Sequence, residues 1–193
     1  IAWQTMPQLR GHLSVARTVS PWANLMDAMT NRDHQKALVF TFVMMFVGFV
    51  VIPYITMYTT TNGGLTAQEI PLIYLFGGIA TLSTARWIGR MSDQIGKVKM
   101  FRIMALLTAI PALGMTISAP LGFYGIMAVS TLFFVFMSGR MIPGMAIVTA
   151  ACRPSQRGTF MALNSAVLSL GMSAAAFVGG LIMGRDANGW VVN

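Results

Sequence analysis

Residues 103–139 read IMALLTAIPALGMTISAPLGFYGIMAVSTLFFVFMSG, a stretch without a charged side chain that ends immediately before Arg140. An α-helix needs about 20 apolar residues to cross a lipid bilayer, so this stretch is too long for one crossing. The segment from Ser118 to Gly122 divides it, because its proline and glycine are typical of a tight turn. The stretch therefore predicts two consecutive membrane-spanning helices joined by a short turn.

The composition of the chain excludes the two main alternatives to a membrane protein. Of its 193 residues, 55% are apolar and 9% are charged, and the mean hydropathy is +0.68. A soluble domain has about 25% charged residues, and a disordered chain combines low hydrophobicity with high charge. Neither class fits, so lipid is the solvent in which we expect this chain to fold.

Three further uncharged runs, at 37–68, 70–85 and 158–184, extend the pattern along the chain. Each is too long for a membrane β-strand of about 9–11 residues, and a helix satisfies its backbone hydrogen bonds within the segment. The predicted fold class is therefore an all-α polytopic membrane helix bundle. Its five membrane-spanning helices are expected at about 37–58, 68–89, 99–117, 122–151 and 157–183.

The basic residues are distributed unevenly among the connections. Of 13 Lys and Arg, four precede the first predicted helix, five lie around the second-to-third connection and two lie in the fourth-to-fifth connection. The positive-inside rule assigns these connections to the cytoplasm. We therefore interpret the net charge of +8 as an orientation signal in the cytoplasmic (inner) membrane and not as a nucleic-acid site. The N-terminus is expected inside and Asn193 outside.

Residues 1–36 precede the first predicted span and are expected to form a cytoplasmic linker. Ser20 and Pro21 are typical of a helix start, and four apolar side chains follow on one helical face. The pattern predicts a short interfacial helix, or a linker that is helical only when it packs on the neighbouring span. Since the chain begins at Ile1, we expect it to be part of a longer protein. The four apolar residues are Trp22, Leu25, Met26 and Met29.

Few side chains are available for catalysis or metal binding. The chain has 5 Asp and Glu, 2 His and one cysteine, Cys152, which excludes an internal disulfide and a cysteine metal cluster. No motif for a nucleophilic serine, a zinc protease or a phosphate-binding loop occurs. We expect no enzymatic activity, no catalytic residues, no metal and no cofactor.

Residues 89–99, between the second and third predicted helices, read GRMSDQIGKVK. Gly89 permits a close approach of backbones, and Gly96 can adopt the positive φ of a turn. Asp93 is an anion that could lie against a helix N-terminus, and Lys97 could hold the loop at the anionic inner leaflet. These features indicate either a conformational latch or a turn with a capping aspartate and orienting basic residues.

The spacing in this loop, which also includes Arg90, resembles the signature loop of the major facilitator superfamily. In that family a Gly, a small residue, an Asp, a Gly and basic residues join the second and third helices of each six-helix half. The resemblance implies that 37–193 is a partial C-terminal transmembrane domain, with helices seven to eleven, and that 1–36 is the linker between halves. It further implies inverted three-helix repeats, and a second, N-terminal six-helix half as partner.

Arg140 lies inside the fourth predicted helix, in the segment FMSGRMIPGMA. A charge at the bilayer centre costs roughly 2.5–3.5 kcal/mol on insertion scales, so an intramembrane arginine indicates function. Its distance from Gly122, about 27 Å of helix, predicts a position in the cytoplasmic half of the membrane. Arg140 followed by Gly144 resembles the arginine motif of the family's fourth helix, although Pro143 stands where that motif has Gln. The alternative is an arginine that snorkels to the interface or caps a carbonyl.

The fifth predicted helix carries small residues at a regular spacing. In its segment GMSAAAFVGG, Gly171, Ala175 and Gly179 recur every four residues. Such a stripe favours close packing of membrane helices, to which Gly144 and Gly180 are also expected to contribute. The segment also resembles the family's antiporter motif Gly-x-x-x-Gly-Pro-x-x-Gly-Gly, with two alanines where that motif has Gly-Pro.

Polar side chains inside the spans are candidates to line a substrate path, because polar groups at depth usually face the bundle or a water-filled cavity. Two apolar residues of the fourth helix would complete the wall. Each candidate could equally be only an interhelical hydrogen bond or a packing contact. The candidates are Thr41, Tyr54, Tyr74, Phe136, Met137, Asn164 and Ser165.

The resemblance implies secondary active transport of a small organic solute across the cytoplasmic membrane by alternating access, with proton-coupled efflux as the expected mode. A metabolite symporter or facilitator is the alternative within transport. A non-transporting membrane scaffold or sensor is the alternative from another class. No carboxylate lies within a predicted span, so coupling to protons would require a carboxylate of the other half.

Overall fold

The computed structural model describes residues 20–116, 122–185 and 191–192. Within them the chain forms α-helices, one 3₁₀ turn at Pro154–Gln156, and strands β1 Gly184–Arg185 and β2 Val191–Val192, which pair antiparallel. Residues 1–19 of the predicted linker and 118–121 of the predicted turn lie outside the described residues. The helices are α1 Pro21–Thr30, α2 Arg32–Phe49, α3 Ile52–Thr61, α4 Ile70–Ile95, α5 Lys97–Thr116, α6 Gly122–Ala150 and α7 Arg157–Ile182.

The first span, expected as one helix at 37–58, is divided into α2 and α3. The cause is Pro53, which has no N–H to donate to the carbonyl of Phe49 and so removes one bond of the helical ladder. The chain continues through a tighter bond in which Tyr54 N donates to Val51 O at 3.0 Å. The span also begins earlier than expected, because the side chain of Asn31 caps α2 by accepting from two backbone N–H groups.

The second helix, expected at 68–89, continues as α4 to Ile95. Residues 90–95 include no helix breaker, and the first residue that ends the helix is Gly96, with φ +91°. Because α5 begins at Lys97, a single residue connects the two helices. The segment predicted as a loop is therefore mostly the last turns of α4.

Four parts of the described chain are long and apolar enough to cross a membrane: Arg32–Thr61, Lys97–Met115, Gly122–Ala150 and Pro154–Ile182. The second expected span, α4, has 26 residues but carries charged side chains in its C-terminal half and does not meet the same criterion. Large apolar side chains are exposed along the outer face of α2 and on α4, α5 and α7. These findings confirm an all-α membrane bundle, with four of the five expected spans meeting the criterion.

Helix α6 lies at the centre of the bundle and contacts α2, α4 and α5, while α2 packs along α7. Its residues Phe133, Met137 and Arg140 are buried, and their spacing of four and three places them on one helical face. Phe133 and Met137 form a core cluster with Ile55 of α3 and Met115 of α5. In lipid such contacts stabilise the bundle through van der Waals packing. This packing places the side chain of Arg140, on α6, beside α2 and α5.

Candidate functional site

Arg140 is buried inside the bundle, with 4% of its surface exposed. Its Nη2 donates a hydrogen bond to the main-chain oxygen of Met44 on α2, at 3.1 Å. The guanidinium can approach α2 because residue 48 is a glycine: a Cβ at Gly48 would lie 2.5 Å from Nη2. The arginine thus contacts a carbonyl of the neighbouring helix.

The positive charge of Arg140 has no acidic partner within the described residues. Its Nε is buried and makes no hydrogen bond there. The one ion pair found in the same part of the chain joins exposed side chains of Lys36 and Asp33, at 3.7 Å. The carboxylates of the described residues lie in α1, in the α3–α4 connection or in terminal turns of helices. They are Asp27, Asp33, Glu69 and Asp93.

A cavity of about 330 Å³ lies beside Arg140, between α2, α5 and α6. We call it the Arg140 cavity. Val47, Leu113 and Phe133 are among the apolar side chains that line it. The other polar side chain in its wall is that of Thr108, whose hydroxyl donates to the main-chain oxygen of its own helix at 2.6 Å. The cavity therefore combines one cation with a mainly apolar wall.

A second cavity, of about 410 Å³, lies between the first span, α4 and α6, and we call it the Tyr74 cavity. The hydroxyl of Tyr74 is 2.9 Å from Oγ1 of Thr56. Phe134 and Ser138 lie on its α6 side. Met137 lines both this cavity and the Arg140 cavity. Two of the expected path residues, Tyr74 and Met137, therefore share one cavity.

Other expected path residues are placed elsewhere. Thr41 Oγ1 donates to Asn164 Oδ1 at 2.7 Å, in a buried bond between α2 and α7. The hydroxyl of Tyr54 donates to the main-chain oxygen of Ala176 at 2.5 Å. Ser165 is exposed and donates to a carbonyl of its own helix. Phe136 packs against a buried cluster formed by Ile88, Met100 and Met104.

The expected packing residues lie where helices approach closely. A Cβ at Gly171 would be 3.0 Å from a main-chain oxygen of α2, and Ala175 is fully buried. The ring of Tyr54 lies against Gly179 and Gly180, and Met44 of α2 lies against Gly144 of α6. The stripe on α7 thus faces the two parts of the first span.

The residues of the predicted latch surround the single-residue connection between α4 and α5. Gly89 is half-buried in α4, whereas Arg90, Asp93 and Lys97 are exposed at the end of the bundle. Gly96 supplies the positive φ that the sequence suggested. No hydrogen bond or ion pair of Asp93 is found within the described part of the chain, so its carboxylate is presented to the surroundings.

A set of contacts that sequence reasoning missed fastens α1 to the α6–α7 connection, and we call it the α1 clasp. Gln156 Nε2 donates to Asp27 Oδ2. The Nδ1 of buried His34 donates to Ala28 O at 3.1 Å, and its Nε2 accepts from Arg153 N–H at 3.4 Å. The partners lie 119 and 129 positions apart, so no local pattern could have found them.

Within the described residues, no group of three or more His, Cys, Asp or Glu side chains is placed to hold a metal ion. Long apolar helices and exposed apolar faces, with an arginine buried between the helices, define a class: a multi-pass α-helical membrane protein. A family model of the Major Facilitator Superfamily matches residues 37–192, so the chain belongs to this family of membrane transporters, as its motifs suggested. Searches of curated proteins and of solved structures found no match.

Proposed function

We propose that this chain is part of a secondary active transporter that exports a small organic solute in exchange for protons, by alternating access. Membership of the family supports membrane transport in general. The observation that carries the proposal is the burial of Arg140 beside a cavity, without an acidic partner among the described residues. A charge at such depth is costly and usually marks a substrate or ion pathway.

In this proposal the bundle rocks against a second six-helix half, and the solute lies between the halves near the midplane. The exposed Asp93 and Lys97 beside Gly96 are suited to contact the second half in one access state and to release it in the other. Proton coupling needs a titratable carboxylate on the path. The described spans hold none away from their helix ends, so the proposal assigns that group to the second half.

The test is solute flux by the full-length protein in proteoliposomes with an imposed pH gradient. We expect accumulation of an exported dye that depends on the gradient and collapses with a protonophore. Arg140→Ala should abolish this flux, and Arg140→Lys should reduce it because lysine lacks the planar fork of donors. The matched control is Arg86→Ala, which removes an exposed arginine. Wild-type rates in both Arg140 variants, at equal protein density, would contradict the role of Arg140.

The same assay separates the alternatives. Solute that moves in the same direction as protons would indicate a symporter, and flux that ignores the gradient would indicate a facilitator. A panel of dyes, sugars and metabolites with no flux above that of empty vesicles would favour a scaffold or sensor with this fold.

A further inference from the structure

We propose that Arg140 binds the anionic group of an organic solute, so that the substrates are amphiphilic organic anions. This inference rests on the proposed transport function and deepens it by naming the chemistry that the Arg140 cavity accepts. It follows from the donors, the charge balance and the shape of that cavity.

The guanidinium of Arg140 has hydrogen-bond donors without a partner among the described residues. A guanidinium carries five N–H donors in a planar fork that matches the oxygens of carboxylates, sulfonates and phosphates. Within the described residues this guanidinium makes one hydrogen bond, from Nη2 to Met44 O. Nε is buried and out of reach of a ligand, whereas Nη1 makes no hydrogen bond there and is not among the buried unpaired atoms, so its N–H groups are the donors left for a ligand. An oxyanion is the ligand that suits these charged terminal donors.

The charge of Arg140 is not compensated by a carboxylate of the described residues. The described carboxylates lie near helix ends or outside the spans, and Arg140 forms no ion pair with them. A buried charge without a partner is strongly unfavourable, and an anion that enters the cavity compensates it. A cation of the same size would meet repulsion, and a neutral molecule would leave the charge uncompensated. The site therefore discriminates by charge.

The wall of the Arg140 cavity is mainly apolar. The volume of about 330 Å³ lies within the range of roughly 300–1,000 Å³ typical of small-molecule sites. Val47, Leu113 and Phe133 offer apolar contacts, and the hydroxyl hydrogen of Thr108 is used by Met104 O. Beyond the arginine the cavity suits a hydrocarbon body better than a polyhydroxylated one.

The test measures binding to the purified full-length protein by equilibrium dialysis. The probes are naphthalene-2-sulfonate and its neutral counterpart naphthalene-2-sulfonamide, which share one ring system. We expect saturable binding of the sulfonate, with the sulfonamide weaker by about tenfold or more, because hydrogen bonds between two charged groups are roughly twice as strong as those with a neutral partner. Arg140→Gln should weaken sulfonate binding to a similar degree, whereas the matched control Arg86→Gln should not.

A second variant keeps the proposal testable if Arg140→Gln fails to fold. Ala109 is exposed on α5 and lines the Arg140 cavity, so Ala109→Trp should fill the cavity without removing the arginine. We expect this variant to lose sulfonate binding. Equal binding of both probes, or wild-type sulfonate binding in Ala109→Trp, would overturn the proposal.

A competition arm separates an organic from an inorganic anion. If chloride displaces the sulfonate as effectively as unlabelled sulfonate does, the site is one for inorganic anions and the proposed substrate class is wrong. Because dialysis measures binding without transport, a result can contradict the proposed substrate class without contradicting the proposed transport function, and the reverse. Flux of neutral or cationic solutes without sulfonate binding would refute only the substrate class. Sulfonate binding without flux of any solute would refute only the transport function.

Discussion

Thr41 and Asn164 show how a single pair of polar side chains can join two membrane helices. The sequence drew attention to both because they are polar at depth, and suggested a substrate path. The structure places them against each other, 2.7 Å apart and buried between α2 and α7. Which of the two roles a polar residue takes depends on its partner, and the partner here is 123 positions away in the chain.

Replacing Thr41 by valine should lower the stability of the protein by about 1 kcal/mol, since interhelical hydrogen bonds in membranes are worth on average about 0.6 and at most about 1.7 kcal/mol. The substitution preserves the shape and leaves the amide oxygen of Asn164 without its donor. Thermal unfolding in detergent gives the measurement. A double-mutant cycle with Asn164→Leu provides the control, and strictly additive effects would show that the bond contributes nothing.

At the scale of the element, α4 carries two adjacent glycines with different surroundings. A Cβ at Gly77 would lie 2.5 Å from Cδ2 of Phe134 on α6, and 3.2 Å from Cγ of the same ring. A Cβ at Gly78 would meet nothing within 4 Å. Gly77 therefore permits the contact between α4 and α6, whereas Gly78 has no such role.

We expect Gly77→Ala to destabilise the bundle by about 1–3 kcal/mol, because the ring must move or the helices must separate. Gly78→Ala should instead be neutral or stabilising by up to about 0.5–1 kcal/mol, because alanine is the better helix former. The unfolding midpoints of the two variants test this contrast. If both variants behave alike, the close approach of α4 to α6 at Gly77 is not as described.

The start of α4 should respond to pH. The backbone N–H and the hydroxyl of Thr66 both donate to Oε2 of Glu69, at 2.8 Å each, and these bonds lower the pKa of the Glu69 carboxyl. Because the pKa is depressed in the folded state, the contribution to stability is present above the ordinary glutamate pKa. It is lost as the pH falls through the depressed value.

Glu69→Gln should therefore be less stable than the wild type at neutral pH, and the difference should vanish in acid. Unfolding midpoints of both proteins across the acid range give the measurement. Asp93→Asn, at an exposed carboxylate with no described hydrogen bond, is the control for a general effect of charge. A difference between Glu69→Gln and wild type that stays constant with pH would contradict a stabilising role of the two hydrogen bonds from Thr66.

The positions of the helices could be predicted from the sequence wherever the absence of charged residues alone determines them. Runs without charge indicated where apolar helices lie, and α6 and α7 each end within one residue of the expected position. The break before Pro53 and the extension of α4 to Ile95, where Gly96 ends it, follow from backbone chemistry, which the positions of the charges do not reveal. The cavity at Arg140 depends on how three helices pack, and no short pattern in the sequence encodes that.

At the scale of the whole molecule, the basic connections lead us to place the α4–α5 and α6–α7 connections in the cytoplasm, and Cys152 offers a test. Burial raises the pKa of its thiol, and the charge of Arg157 opposes this rise. In a variant without other cysteines, a membrane-impermeant maleimide should label Cys152 in inside-out vesicles only. Labelling should become faster as the pH rises, because the thiolate is the reactive form.

The matched control moves the thiol to the opposite side. Gln68 is exposed in the α3–α4 connection, so Cys152→Ser combined with Gln68→Cys should be labelled only in right-side-out vesicles. The reverse pattern in both proteins would mean that the orientation is inverted. Labelling of both sites from the same side would contradict the arrangement of the spans.

The α1 clasp has a mechanical consequence. Asp27 of α1 and His34 of α2 both bind the α6–α7 connection, 129 and 119 positions away in the chain, so this connection holds both helices. A pulling force on the segment that precedes Ser20 would be transmitted to α7 through the bond between Asp27 and Gln156. It would also be transmitted to α2 through the peptide chain. A force applied through the linker would therefore move α2 and α7 together and would not separate α2 from the bundle.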